Sequence, residues 1–152
     1  FLVETLDLTW DQVHEEAENM EHAVSDFLVD RIDDFLGRPA ADPHGDPIPA
    51  HDGELRGDNQ HATPLVEYSA GSQVRFARVL NQYSEFLRHL SDSGLEVGSV
   101  ATILEVDSSA GIVTLQLPTR ETTLEHAVAE HLLVESMPQS VPVDVSSEEN
   151  ER

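Results

Sequence analysis

Apolar residues recur at three- and four-residue steps over the first 36 positions and alternate after position 65, and this change of period divides the chain. Trp10, Val13, Ala17, Met20 and Val24 form one apolar stripe, which predicts a helix from Thr9 to about Val24. Thr9 with Gln12 three residues on supplies a capping box at its start. A second helix is predicted from Ser25 to Leu36, with Phe27, Leu28, Ile32, Phe35 and Leu36 as its apolar positions and Gly37 as its C-terminal cap. That apolar face is large for so short an element. The sequence offers no other long helix to cover it, so burial against a partner subunit or a further segment is expected.

Asp42-Pro43-His44-Gly45-Asp46-Pro47-Ile48-Pro49 then dictates an extended, turn-rich path, because three prolines and a glycine exclude regular structure. Residues 50–63 are polar without period and read as a mobile linker; His44, His51 and His61 are expected to be exposed loop histidines. Beyond Leu65 come short alternating segments. Strands are expected at Gly71–Val79, Val100–Val106 and Ile112–Leu117, the last two joined by a hairpin at Ser108–Gly111. A short helix is expected at Ser84–Leu90, a turn at Gly94–Ser99, a strand or helix start at Glu121–Leu124, a helical turn over 125–131 and a closing strand at Leu132–Val134. Several short strands in about 70 residues suggest a small SH3-type barrel, so the fold class is α+β. Pro138 to Arg152 should be disordered.

Candidate chemistry concentrates in His14-Glu15-Glu16-Ala17-Glu18-Asn19-Met20-Glu21-His22. At about 100° per residue, a helix brings His14, Glu18, Glu21 and His22 within an arc of roughly 100°. Two imidazoles and two carboxylates on one stripe suit a divalent cation; the competing reading is a solvated face of an acidic helix. A His-Glu-x-x-His zinc-protease motif would need His at position 18, where Glu18 stands. A di-iron bundle needs a second Glu-x-x-His, and none occurs.

Charge and composition narrow the classes further. Thirty acids against eight bases, all arginine, give a net charge of −22, a surface that repels phosphate backbones. The acids are spread along the whole chain, which suggests adaptation to high salt. Cys is absent, so a metal site must use oxygen and imidazole, suiting Mn, Fe(II), Co, Ni or Zn. No apolar run reaches the length of a membrane span, and no membrane partner is expected. Phe1 is not an initiator residue, so the chain is expected to be part of a longer protein.

Three ordered motifs carry a resemblance. Val13-His14-Glu15-Glu16-Ala17, Met20-Glu21-His22 and Ser25-Asp26 resemble the dimerisation helices of the diphtheria toxin repressor family. Residues 42–49 resemble the loop that follows them, and Phe86–Leu90 through Gly94–Ser99 is similar to that family's FeoA-like SH3 domain. The resemblance covers about residues 1–135. It implies a helical metal-binding and dimerisation domain at 1–50, a linker at 51–64, an SH3-like domain at 65–136 and an acidic tail at 137–152. It further implies a cytoplasmic homodimer that reaches operator DNA through an N-terminal winged helix absent from this sequence.

By the same resemblance, Glu18, Glu21 and His22 match the family's primary, activating metal site, and His14 matches the ancillary site. Iron-responsive members carry Cys where Glu18 stands and manganese-responsive members carry Glu, so Mn(II) is the first expectation and Fe(II) the second. The SH3-like domain of iron-responsive relatives lends a Glu and a Gln to the ancillary metal. Here the matching window holds Gln82 and Glu85 in reversed order. His89, His126 and His131 receive no assignment. Bound metal would fix the angle between DNA-reading and dimerisation domains, and no residue receives a catalytic role. Two rivals remain: a stand-alone FeoA-like metal-binding scaffold or transport accessory, and a metallohydrolase using Glu15 or Glu16 as base.

Overall fold

A computed structural model describes residues 1–50, 52–56 and 61–138 of the chain. Helix α1 (Leu2–Leu6) leads by a turn into α2 (Val13–Glu21) and α3 (Asp26–Phe35). The predicted start of α2 at Thr9 survives as a hydrogen-bonded turn. The Thr9 N–H donates to the Gln12 side chain at 3.2 Å, half of the capping box, and the Val13 N–H donates to the Thr9 carbonyl at 3.1 Å. At its other end α2 stops at Glu21, three residues before the expected Val24, and a turn leads to the Ser25 cap.

Local chemistry sets both ends of α3. The Ser25 side chain accepts from the Leu28 N–H at 3.3 Å and so satisfies one open donor of the first turn. Gly37 at φ +77° lets the chain reverse: the Arg38 N–H reaches the Asp33 carbonyl and the Gly37 N–H the Asp34 carbonyl. This is a Schellman stop.

The rest of the described chain is a six-stranded antiparallel sheet in the order β1-β6-β2-β3-β4-β5. Its strands are β1 (Thr63–Pro64), β2 (Gln73–Val79), β3 (Val100–Asp107), β4 (Ile112–Gln116), β5 (Glu121–Glu125) and β6 (Leu132–Ser136). A 3-10 turn (Leu65–Glu67), α4 (Ser84–Asp92) and α5 (His126–Ala129) cover its inner face. The expected small SH3-type domain is present, and its sheet is unclosed, with edges at β1 and β5. Edge strand β1 is only two residues long, and one of them, Pro64, has no N–H with which to extend a ladder.

Two bulges shape this sheet. In β2, Val74 and Phe76 point inward; the register shift before Arg78 turns the phase so that Val79 is buried next. A second shift lies between Ile103 and Glu105 in β3. The core is continuous beneath them, with Leu65, Val74, Leu87, Leu90, Ile103, Val113, Leu115, Leu132 and Val134 fully buried. Trp10 is the one residue of the helical region in this cluster, and its indole N–H donates to Ser91 Oγ at 2.7 Å.

The proline-rich segment is a clasp between the two regions. His44, expected to be exposed, is buried at 2 % exposure. Its ring stacks on Trp10 with centroids 6.0 Å apart, and Nε2 lies 2.8 Å from the Trp10 carbonyl. The His44 carbonyl in turn accepts from the Val79 N–H of β2. Gly45, at φ +87°, passes so close to the bulge that a Cβ there would meet the Ala77 carbonyl oxygen at 2.0 Å. Asp46 accepts from Arg78 Nε and from the Gln82 amide at 2.7 Å.

Residues 52–56 within the expected linker are also held. Pro49 bridges to Leu55, and Arg56 forms a two-pronged ion pair with Asp33 of α3 at 2.5 and 2.7 Å. His61 is exposed, as expected. His51 and positions 139–152, where the tail was expected to be disordered, lie outside the described residues.

Candidate metal centre

Helix α2 carries the predicted ligand stripe. His14 sits in its first turn, Glu18 one turn on, Glu21 at its end, and His22 follows as C-cap at φ −83°, ψ −8°, still in helical geometry. All four are exposed. His14 Nε2 lies 3.6 Å from Glu18 Oε1, the i to i+4 contact that the spacing requires. Among the described residues, however, no three His, Asp or Glu side chains converge closely enough to enclose a metal ion. The donors suit a divalent transition-metal ion in kind, but α2 alone does not enclose one.

A second set of groups lies across from His14. A cleft of about 540 Å³ is lined by His14 and Glu15 of α2, by Leu80, Asn81, Gln82 and Tyr83 before α4 and Ser84 at its start, and by His131 just before β6. It brings Gln82 and His14 to one cavity. Glu85, in the first exposed turn of α4, and Glu18, Glu21 and His22 are not among its lining residues. Two contacts tie α4 to the turn before α2 beside this cleft. Ser84 Oγ donates to the Asp11 carbonyl at 2.8 Å, and Arg88 Nε lies 3.6 Å from Asp11.

Buried His44 pairs with half-buried Asp42 in the proline-rich segment. Asp42 Oδ1 accepts from the N–H groups of His44 and Asp46, and Oδ2 lies 3.4 Å from His44 Nδ1. Both His44 nitrogens therefore meet atoms that only accept, a carbonyl and a carboxylate, and the doubly protonated ring suits both. Burial pushes the His44 pKa down, but the Asp42 hydrogen bond, the Trp10 carbonyl and the charges of Asp42 and Asp46 outweigh it and raise it. For Asp42 burial acts upward, and the His44 and Asp46 hydrogen bonds carry the carboxyl below its usual range. Sequence reasoning missed this pair because the residue that covers His44 is Trp10, far away in the chain. The one local sign was Asp42, placed two residues earlier to cap the turn.

Comparison with known proteins agrees with both halves of this architecture. Residues 1–50 match the family described as iron dependent repressor, metal binding and dimerisation domain, and residues 63–136 match the FeoA domain. The iron-dependent repressor IdeR of Mycobacterium tuberculosis is 31% identical over 149 residues, spanning 90% of this chain and 63% of that protein; IdeR of Mycobacterium leprae is 30% identical over the same span. This chain thus spans somewhat under two thirds of the length of those curated relatives. Among solved structures, a manganese-dependent transcriptional repressor is 36% identical with a TM-score of 0.83, covering 90% of this chain and 73% of its own. ScaR with bound Zn2+ is also 36% identical, with a TM-score of 0.76, covering 90% of this chain and 67% of its own. The open sheet with its covering helices is thereby an SH3-like FeoA domain, and with the helical region before it the chain belongs to the diphtheria toxin repressor family of metal-dependent transcriptional repressors.

Proposed function

We propose that this chain is the metal-sensing and dimerisation part of a Mn(II)- or Fe(II)-dependent repressor that controls metal homeostasis. The observation that carries the reading is α2 itself. Within the span that matches a metal-binding and dimerisation family, one helix presents His14, Glu18, Glu21 and His22 in order, unburied and without enough partners to enclose an ion. Glu18, Glu21 and His22 hold the activating ion, and His14 belongs to a second site. The carboxylate of Glu18 supplies a hard oxygen, which favours Mn(II), with Fe(II) next and Co, Ni or Zn as substitutes in vitro.

A bound divalent ion supplies a positive charge that joins groups from two domains. Glu18, Glu21 and His22 orient one half of its coordination; a DNA-reading domain preceding α2 supplies the other half. The ion favours operator binding only insofar as this joined arrangement is the DNA-competent one. Two such chains, paired through α3, space two recognition elements for the two halves of an operator. The exposed Phe27, Leu28, Val29 and Phe35 of α3 support that pairing. The reading needs no catalytic residue, and it places the protein in the cytoplasm, where its DNA lies. We also assign the net charge of −22 to a high-salt environment: melting temperature should rise between low and molar salt, and an unchanged value would contradict this.

The test is operator binding by the full-length protein, with the site selected from random DNA and titrated with Mn(II) and Fe(II). Metal-dependent binding that is abolished in Glu21→Ala is the expected result. Equal binding with and without metal, or in the variant, contradicts the proposal.

A further inference from the structure

Arginine is scarce in this chain, with eight against thirty acids, and nearly every one is engaged. Among the described residues, Arg38, Arg56, Arg75, Arg78 and Arg88 each face a carboxylate, and Arg120 donates to a backbone carbonyl. Arg31, in the middle of α3, makes no hydrogen bond or ion pair among those residues.

Its neighbours give that isolation a direction. Ile32, Asp33 and Leu36 are half-buried, so their side of α3 faces the rest of the chain. At about 100° per residue, Phe27, Arg31 and Phe35 fall on the opposite side, one stripe at four-residue steps. Phe27 and Phe35 are 73% and 70% exposed, so the cation stands between two bare aromatic rings. Asp30 and Asp34 flank this stripe. Arg38 holds Asp34 at 2.8 Å, whereas exposed Asp30 has no partner among the described residues. Each α3 thus presents one unpaired cation and one unpaired carboxylate beside the same apolar stripe.

An apolar stripe with a cation at its centre is a poor match for an uncharged surface, because covering Arg31 without an acid leaves a desolvated charge. A second copy of α3 supplies both aromatic rings and an unpaired acid. We propose that Arg31 of one chain pairs with Asp30 of a second copy, and the reverse, so that a two-fold axis generates two identical ion pairs across the α3 interface. This inference rests on the dimer reading above and deepens it by naming the residues that choose the partner. Phe27 and Phe35 alone accept any apolar face. The two charges demand an acid at one place and a cation at another, and they reject a like-charged arrangement. In a chain of net charge −22 that choice matters, since two acidic surfaces otherwise repel.

The test is charge exchange in the 152-residue chain, read by sedimentation equilibrium. It is run at the lowest salt that retains the parent's far-UV circular dichroism, because molar salt screens exposed pairs. Arg31→Asp and Asp30→Arg should each weaken self-association by about 10- to 100-fold. Mixed in equal amounts, the two variants should form heterodimers as tightly as the parent forms homodimers, since each finds its complement in the other. The Arg31→Asp/Asp30→Arg double variant should self-associate like the parent for the same reason. Single variants that dimerise like the parent, or a mixture that associates no better than its components, overturn the Arg31–Asp30 pair. The dimer reading then stands if Phe27→Asp/Phe35→Asp is monomeric. A parent chain that stays monomeric at every salt overturns both and leaves the α3 face to a different partner.

Discussion

The two regions of this chain solve the burial problem in opposite ways. The SH3-like domain closes over its own core, with Leu87, Leu90, Ile103, Val113 and Leu115 at zero exposure under β2, β3, β4 and α4. The helical region does not. No residue of α3 is buried, Phe27 and Phe35 are 73% and 70% exposed, and α2 buries only Val13. The proposed function accounts for the difference: a domain that pairs with a second copy and shares its metal ligands with another domain keeps its apolar face and its donors on the outside. The regions are connected by a small polar clasp around His44 and Asp46, by Trp10 in the sheet-domain core and by the contacts of Asp11 with Ser84 and Arg88.

The largest expected contrast comes from truncating one residue in each region. Leu87→Ala removes a fully buried side chain and should cost about 2–5 kcal/mol in chemical denaturation. Phe35→Ala should change the stability of a single chain by less than about 0.5 kcal/mol. Comparable losses at both positions would mean that α3 packs within its own chain after all.

Gly45→Ala should come next. A Cβ there collides with the Ala77 carbonyl and sits at an unfavourable positive φ, so a cost of about 2–4 kcal/mol is expected, with faster amide exchange at Val79 as the clasp lifts from β2. Gly37→Ala, also at positive φ but with nothing near its Cβ, should cost only about 1 kcal/mol.

Smaller again is the pH response of the clasp. His44 has a raised native pKa, so its contribution is complete below its unfolded pKa of about 6.5 and is lost as pH rises through the native value. Asp42, whose native pKa is lowered, contributes above its unfolded value near 4 and loses that contribution as pH falls. Stability should therefore peak between the two titrations, and His44→Gln should flatten the alkaline side. A profile with the same alkaline fall in the variant would assign that fall to another group.

Which parts of this contrast the sequence displayed follows from the range of the interactions. Ser25 and Gly37 act on neighbouring backbone groups, and the structure places the ends of α3 within one residue of where they predict. The stop of α2 three residues early was not visible, because the apolar pattern runs on through the turn to Val24. The alternation of Val74 and Phe76 predicted β2, while the bulge that re-phases it before Val79 depends on pairing with β6. His44 was misread for a similar reason: a loop sequence rich in proline says nothing of Trp10 closing over it from another element. For the proposed metal donors, helical periodicity gave their shared direction, and the structure adds the 3.6 Å approach of His14 to Glu18. The cleft joining His14 to Gln82 and His131 assembles residues from three elements, which no local pattern encodes.

The central claim is that the helical region is completed by a second copy of the chain through α3. Sedimentation equilibrium of the chain at molar salt, compared with a Phe27→Asp/Phe35→Asp double variant, tests it most directly. The account predicts a dimer for the parent chain and a monomer with the same far-UV circular dichroism for the variant. A monomeric parent chain, or a dimer that survives both charges, would contradict it.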